Sequence, residues 1–107
     1  MPYDAGLVER VRDALPALGA AHARHKAMFG GRGFMLGTTT FVIVWGEGLI
    51  VKVPAAEYAA ALAEPGVTPF APDGGKPMTT WVVVPAERVA DDPELAAWAE
   101  RGLRAVR

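Results

Sequence analysis

The 107-residue chain contains no cysteine, serine, asparagine or glutamine. The absence of cysteine excludes disulfides, thiolate metal sites and cysteine nucleophiles, and the absence of serine excludes serine nucleophiles. Asparagine and glutamine are the usual readers of adenine, so base-specific recognition would depend on other side chains. These absences remove the commonest classes of hydrolase, and we expect a non-enzymatic protein with no catalytic residues, metal or other cofactor.

The chain also lacks an excess of charge of either sign, because it contains 11 lysines and arginines and 12 aspartates and glutamates. A net charge of −1 gives no long-range attraction to nucleic acid, so direct nucleic-acid binding is not expected. The longest mostly apolar run, Phe41–Trp45, is too short to cross a bilayer. The amino terminus lacks the basic and apolar regions of a signal peptide. We therefore expect a cytoplasmic protein without membrane association.

The length and composition fit one globular domain over residues 1–107. Domains typically contain about 100–150 residues, and no repeat or linker divides this sequence. Apolar residues make up 51 % of the chain, but 20 of them are alanine and add little buried area. The core must therefore come from a limited set of larger side chains.

Three segments have helical signatures. A first helix is predicted from the N-cap Asp4, ending or kinking near Ala14–Leu15 because of Pro16. A short helix is predicted from Pro54 to about Ala63, and a closing helix follows the N-cap Asp92 and Pro93. The apolar stripes that support the first and last helices are Leu7, Val8, Val11, Leu15 and Leu18, and Leu95, Trp98, Ala99, Gly102, Leu103 and Val106.

Between the helices the apolar pattern is typical of strands. Short runs rich in β-branched and aromatic residues lie between Lys26 and Val53, and Gly46-Glu47-Gly48 joins two of them at hairpin length. Met78–Val84 is predicted as a further strand after a proline-rich loop over Val67–Pro77 with a brief extended piece around Phe70. Strands grouped between helices predict an α+β fold of two layers, in which helices cover one face of an antiparallel sheet.

The glycine-rich stretch Gly30, Gly31 and Gly33 is the first candidate site. A dinucleotide fingerprint needs a third glycine and a following helix, whereas Leu36 and a strand come here. Glycine inside a strand pattern usually marks a bulge or a sharp bend. We interpret the stretch as a bend, with a phosphate-binding loop as the alternative.

The second candidate is the titratable cluster His22–Lys26. Two histidines three residues apart could share a metal, but no nearby Asp, Glu or Cys completes a ligand set. The cluster is interpreted either as a polar connector between helix and sheet or, with nearby arginines, as a basic surface for phosphate or an acidic partner. The residues chosen for that contact surface are Arg24, His25, Lys26 and Arg32.

An ordered set of short motifs, from about Leu7 to Leu103, resembles the TfoX N-terminal domain family. It begins with a Met-Phe-Gly-Gly-x-Gly-Phe stretch and ends with an Ala-Trp-x-x-Arg-Gly-Leu helix. The matching residues are Met28–Phe34, Val51–Val53, Glu64–Gly66, Lys76–Met78, Trp81–Val84, Ala97-Trp98 and Arg101–Leu103.

The resemblance implies the order helix, three strands, helix, two strands, helix, as in secretion-chaperone-like domains. The family is named after a bacterial regulator of DNA-uptake competence that acts with a cyclic-AMP-responsive transcription factor, and it offers no catalytic residues. The chain stops at Arg107, so the C-terminal helical domain of the full regulators is expected to be absent. Thr80 stands where the family often has glycine before the tryptophan.

The sequence therefore predicts a non-enzymatic interaction or regulatory domain with a protein partner. The alternative is a small-molecule binding domain, with a metabolite or nucleotide approaching the glycine-rich bend or the loop before Met78. Homodimerisation is a further expectation, because an open sheet edge and several tryptophans offer surface to bury.

Overall fold

The computed structural model describes residues 3–72 and 74–107. Six antiparallel strands form one open sheet in the order β1-β2-β3-β4-β6-β5. Three α-helices accompany the sheet, so the predicted α+β class is confirmed. The elements are α1 (Ala5–Ala14), β1 (Arg24–Met28), β2 (Gly31–Leu36), β3 (Thr39–Trp45), β4 (Gly48–Lys52), α2 (Tyr58–Leu62), β5 (Thr68–Pro69), β6 (Trp81–Val84) and α3 (Asp92–Val106).

Helix α1 begins and ends as its sequence predicts. The Asp4 carboxylate accepts a hydrogen bond from the Leu7 backbone N–H at 3.2 Å, which caps the first turn. Pro16 converts the chain into a short 3₁₀ turn over Pro16–Leu18. Gly19 then reverses the chain with a φ of +80°.

Strand β1 is the main addition to the predicted order, which had three strands before α2 where the structure has four. The interpretation of His22–Lys26 as a connector is wrong for Arg24, His25 and Lys26, which lie in β1. The strand pairs only with β2 at the edge of the sheet, so neither of its faces is fully buried. Its sequence consequently lacks the apolar alternation by which half-buried strands are recognised.

The main core lies between the helices and one face of the sheet, which we call the inner face. Buried side chains of α1, α2 and α3 all join this cluster. Helix α3 packs across β3 and β4 and comes closest at Gly102, where a Cβ atom would lie 2.6 Å from the Phe41 carbonyl oxygen. The strand side chains of this core are Phe34, Phe41, Val42, Val44, Leu49, Val51, Val82 and Val84.

The opposite, outer face carries a smaller apolar cluster without any helix residue. Ile43, Ile50 and Phe70 are buried there, and Met28, Trp81 and Val83 are packed against them. Phe70 comes from the segment between α2 and β6, so this segment rather than a helix supplies the cover. All three helices thus lie on one face, as predicted.

The segment before β6 differs in detail from its prediction. The strand begins at Trp81 rather than Met78, because residues 79 and 80 form a turn closed by the Trp81 N–H and the Met78 carbonyl at 3.1 Å. The two strands favoured by the family resemblance are present as β5 and β6. Asp73, within the predicted loop, lies outside the described residues, as do the first two residues of the chain.

The N-cap of α3 is Asp91, not Asp92 as predicted. Its carboxylate accepts a hydrogen bond from the Glu94 backbone N–H at 2.8 Å. Asp91 has the extended backbone of an N-cap, whereas Asp92 already lies inside the helix ahead of Pro93. Because two consecutive aspartates precede Pro93, the sequence alone does not show which of them is the N-cap.

Thr80 has a φ of +74°, a conformation that favours glycine. We predict that Thr80→Gly raises the free energy of unfolding by about 1 kcal/mol, because relief of left-handed strain exceeds the extra entropy of the unfolded chain. Denaturant titration monitored by tryptophan fluorescence measures the difference. Thr79→Gly, an exposed neighbour without a positive φ, is the control and should lower stability. Equal effects of the two substitutions would contradict the prediction.

Candidate functional site: a basic strand edge

The four residues predicted as a contact surface lie together at the β1 edge of the sheet. Arg24, His25 and Lys26 belong to β1, and Arg32 lies on β2, where it pairs with Ala27. Arg24 and Lys26 are exposed, and His25 is half-buried. We call Arg24, His25, Lys26 and Arg32 the basic edge.

The side chains of the basic edge divide between the two faces of β1. Arg24 and Lys26 alternate with His25 along the strand and share the outer face with Met28, whose side chain joins the outer cluster. His25 points to the inner face, where its ring lies 4.9 Å from that of Phe34. Arg24 and Lys26 therefore lie on the outer face of β1, and Arg32 lies with His25 on the inner face.

Arg32 fixes both the position and the protonation of His25. Its guanidinium lies with Nη2 2.9 Å and Nε 3.2 Å from Nδ1 of His25. Because a guanidinium only donates, Nδ1 must accept, and the imidazole is neutral with its proton on Nε2. Nη2 also lies 3.4 Å from the His25 carbonyl oxygen. The guanidinium of Arg32 thus reaches across β1 to the side of the strand that faces away from β2.

The electrostatic surroundings of His25 favour this neutral form. Burial lowers the pKa of His25 first, and the positive charges of Arg32 and Arg12 lower it further. Glu9 acts in the opposite direction but is itself paired with Arg12 on α1. At neutral pH the edge consequently displays three permanent cations around one uncharged imidazole.

A cleft of about 290 Å³ opens at the same edge. Arg24, His25, Lys26 and Met35 line it. Three of the four lining residues are predicted contact residues, so the cleft is part of the basic edge.

The glycine-rich bend lies beside this surface, and its glycines have packing roles. Gly30 follows Phe29 in a two-residue hairpin turn, and both have positive φ values. A Cβ on Gly33 would lie 2.3 Å from the Met28 sulfur, and one on Gly31 would lie 2.0 Å from the Val44 carbonyl oxygen. The positions that side chains would take at these two glycines are therefore occupied by the protein itself, which is a packing reason for glycine at both.

An aromatic cluster next to the bend was not predicted as a unit. The rings of Phe29 and Trp45 meet that of Phe70 edge-on, with centroids 5.5 and 6.1 Å away. Trp45 also donates from Nε1 to the Phe29 carbonyl oxygen at 3.1 Å. Phe29 is 53 % exposed and Trp45 is 41 % exposed. The sequence pattern places Phe29 in a strand-like run rather than in a turn, so it does not bring Phe29 beside Trp45.

Charge is divided between the layers of the molecule. The described strands contain the cations Arg24, Lys26, Arg32 and Lys52, and no aspartate or glutamate occurs in them. In the helical layer, acids are paired with arginines: Glu64 binds Arg101 at 2.6 Å and Arg88 at 3.0 Å. The basic character of the sheet edge is thus uncompensated within the sheet.

Within residues 3–72 and 74–107, no group of three or more His, Cys, Asp or Glu side chains is placed to hold a metal ion. Within the same described part of the chain, the helices are too short or too polar to cross a membrane.

The structure defines a two-layer α+β domain with an open sheet whose β1 edge is basic. Its sequence matches the model of the TfoX N-terminal domain over residues 13–106, and the chain belongs to this family. No curated protein matches the chain.

The lowered pKa of His25 predicts a pH-dependent stability. The unfolded chain binds a proton at this histidine near pH 6.5, before the folded protein does, so stability falls as pH drops through and below that value. Thermal unfolding of His25→Gln should show a smaller loss between neutral and mildly acidic pH than the wild type. His22→Gln, which changes an exposed histidine, should keep the wild-type dependence. Parallel pH profiles for wild type and His25→Gln would contradict this assignment.

Proposed function

We propose that this chain is a non-enzymatic interaction domain that contacts an acidic protein partner through its basic edge. The observation that carries the proposal is the gathering of Arg24, His25, Lys26 and Arg32 at one open sheet edge with no carboxylate in any described strand. Opposite charges across an interface increase the association rate and select the partner.

The chemistry of the site supports binding rather than catalysis. Arg32 saturates Nδ1 of His25, the nitrogen that a general base would need, and cysteine and serine nucleophiles are missing from the chain. A regulatory role and a cytoplasmic location belong to the same proposal, as the family resemblance and the sequence imply. At the glycine-rich bend, the first position considered for the small-molecule alternative, the contacts of Met28 and the β3 backbone give the glycines a packing role.

The proposal predicts that reversal of one charge on the edge abolishes partner capture. Immobilised wild type and Lys26→Glu are incubated with nuclease-treated cell extract, and the retained proteins are identified by mass spectrometry. Lys76→Glu is the matched control, because it makes the same charge change at another exposed lysine, far from β1 in the sequence. We expect acidic proteins that bind to wild type and to Lys76→Glu but not to Lys26→Glu.

Capture of the same proteins by all three baits would contradict the proposal. Partners retained from an untreated extract but lost after nuclease treatment would also contradict it, since a nucleic acid would then bridge the two proteins. Raising the salt concentration should weaken genuine capture, because exposed charges are screened beyond about 8 Å at physiological ionic strength.

A further inference from the structure

Strand β1 has one side of its backbone available for pairing. Phe29 and Gly30 form a two-residue turn, so the flanking Met28 and Gly31 exchange backbone hydrogen bonds, as do the pairs at alternate positions. The N–H and C=O groups of His25 and Ala27 therefore point away from β2. The His25 carbonyl oxygen already accepts a long hydrogen bond from Arg32 at 3.4 Å and keeps a second lone pair for a partner. β1 is the terminal strand of the sheet, and Ala27 is exposed.

The opposite edge of the sheet is built differently. Strand β5 has two residues, Thr68 and Pro69, and proline has no N–H to donate. Short edge strands and prolines are common devices against unwanted pairing. The five-residue β1, about 17 Å long, is the edge with room for another strand.

From this geometry we infer that an extended acidic segment of a partner protein adds to the sheet as a seventh strand beside β1. The inference rests on the proposed function and specifies how the partner binds. Backbone groups of His25 and Ala27 pair with the segment, and its acidic side chains at alternate positions lie beside Arg24 and Lys26. Main-chain hydrogen bonds supply affinity in this mode, and side-chain complementarity supplies specificity.

Charge decides between an acidic segment and a second copy of this chain. In a symmetric antiparallel pair of β1 strands centred on His25, Arg24 of each copy faces Lys26 of the other. Centring the pair on Lys26 places the two lysines opposite each other. Directly opposed like charges destabilise a strand pair, whereas carboxylates at these positions stabilise it. Charge therefore favours an acidic segment over a second copy of this chain in these two registers.

The test separates backbone pairing from simple charge attraction. Ala27→Pro removes the outward N–H and places a proline ring on the free side of β1, while every charge of the basic edge and the ladder to β2 are kept. Ala27→Val keeps the N–H and is the matched control. The probe is a short fluorescent peptide of alternating glutamate and valine, and fluorescence anisotropy measures its binding to each full-length variant.

We expect Ala27→Pro to weaken peptide binding at least about tenfold, which corresponds to 1.4 kcal/mol, and Ala27→Val to bind like wild type. A peptide in which glutamine replaces glutamate should bind weakly to all variants. Hydrogen exchange offers a second measurement that needs no substitution. Amides of His25 and Ala27 should exchange more slowly in the wild-type complex, since their N–H groups become paired.

Three results would overturn strand addition. If Ala27→Pro binds as tightly as wild type while Lys26→Glu does not bind, the basic edge attracts acidic chains without pairing, and the proposed function stands alone. If wild type does not bind the peptide even at low salt, strand addition fails and the capture experiment alone decides the proposed function. If oligothymidylate binds more tightly and displaces the peptide, the edge recognises nucleic acid instead.

Discussion

The close seating of α3 on β3 is the constraint on which the rest of the fold depends. Gly102 allows the helix backbone to approach the Phe41 carbonyl so closely that even a methyl group would collide with it. This contact brings α3 close to the sheet and places it across β3 and β4, and α1 packs against α3 in turn. The apolar side chains of these two strands consequently lie in the most deeply buried part of the molecule.

Because α3 packs across β3 and β4, the β1 end of the sheet is less covered by helices. At the β1 end the inner face carries His25 and Arg32, which are hydrogen-bonded to each other, and the His25 ring also packs against Phe34. Arg24 and Lys26 can remain solvated on the other face. The basic edge is therefore a consequence of where the helices sit, and strand β1 is ordered through its pairing with β2 rather than by burial.

The sequence predicts the buried elements of the structure better than the exposed ones. Strand β3 is evident as a continuous run of β-branched and aromatic residues, and helix α3 is evident from the helical period of its apolar stripe. The first part of strand β1 is missed and only its last residues fall within a predicted strand run, since the exposed side chains of an edge strand need no regular apolar pattern. The four contact residues were identified by their charge, but their convergence on one edge and the Arg32–His25 bond depend on the Phe29-Gly30 turn. That turn has phenylalanine at a position that usually holds asparagine, aspartate or glycine, so its sequence signal is weak.

The cations of β1 reconcile two opposing requirements of an open sheet. An unpaired strand edge can pair with any extended chain, including another copy of the same protein, and lysine or arginine on the edge suppresses that association. The same charges are favourable for a strand that carries carboxylates at the facing positions. Repulsion of one class of partner and attraction of another is a general route to specificity. The neutral form of His25 keeps Arg32 in place, because a protonated Nδ1 could no longer accept the hydrogen bond from the guanidinium. The proposed selectivity of this edge for acidic segments thus rests on the placement of charge on a strand backbone that can otherwise pair with any extended chain.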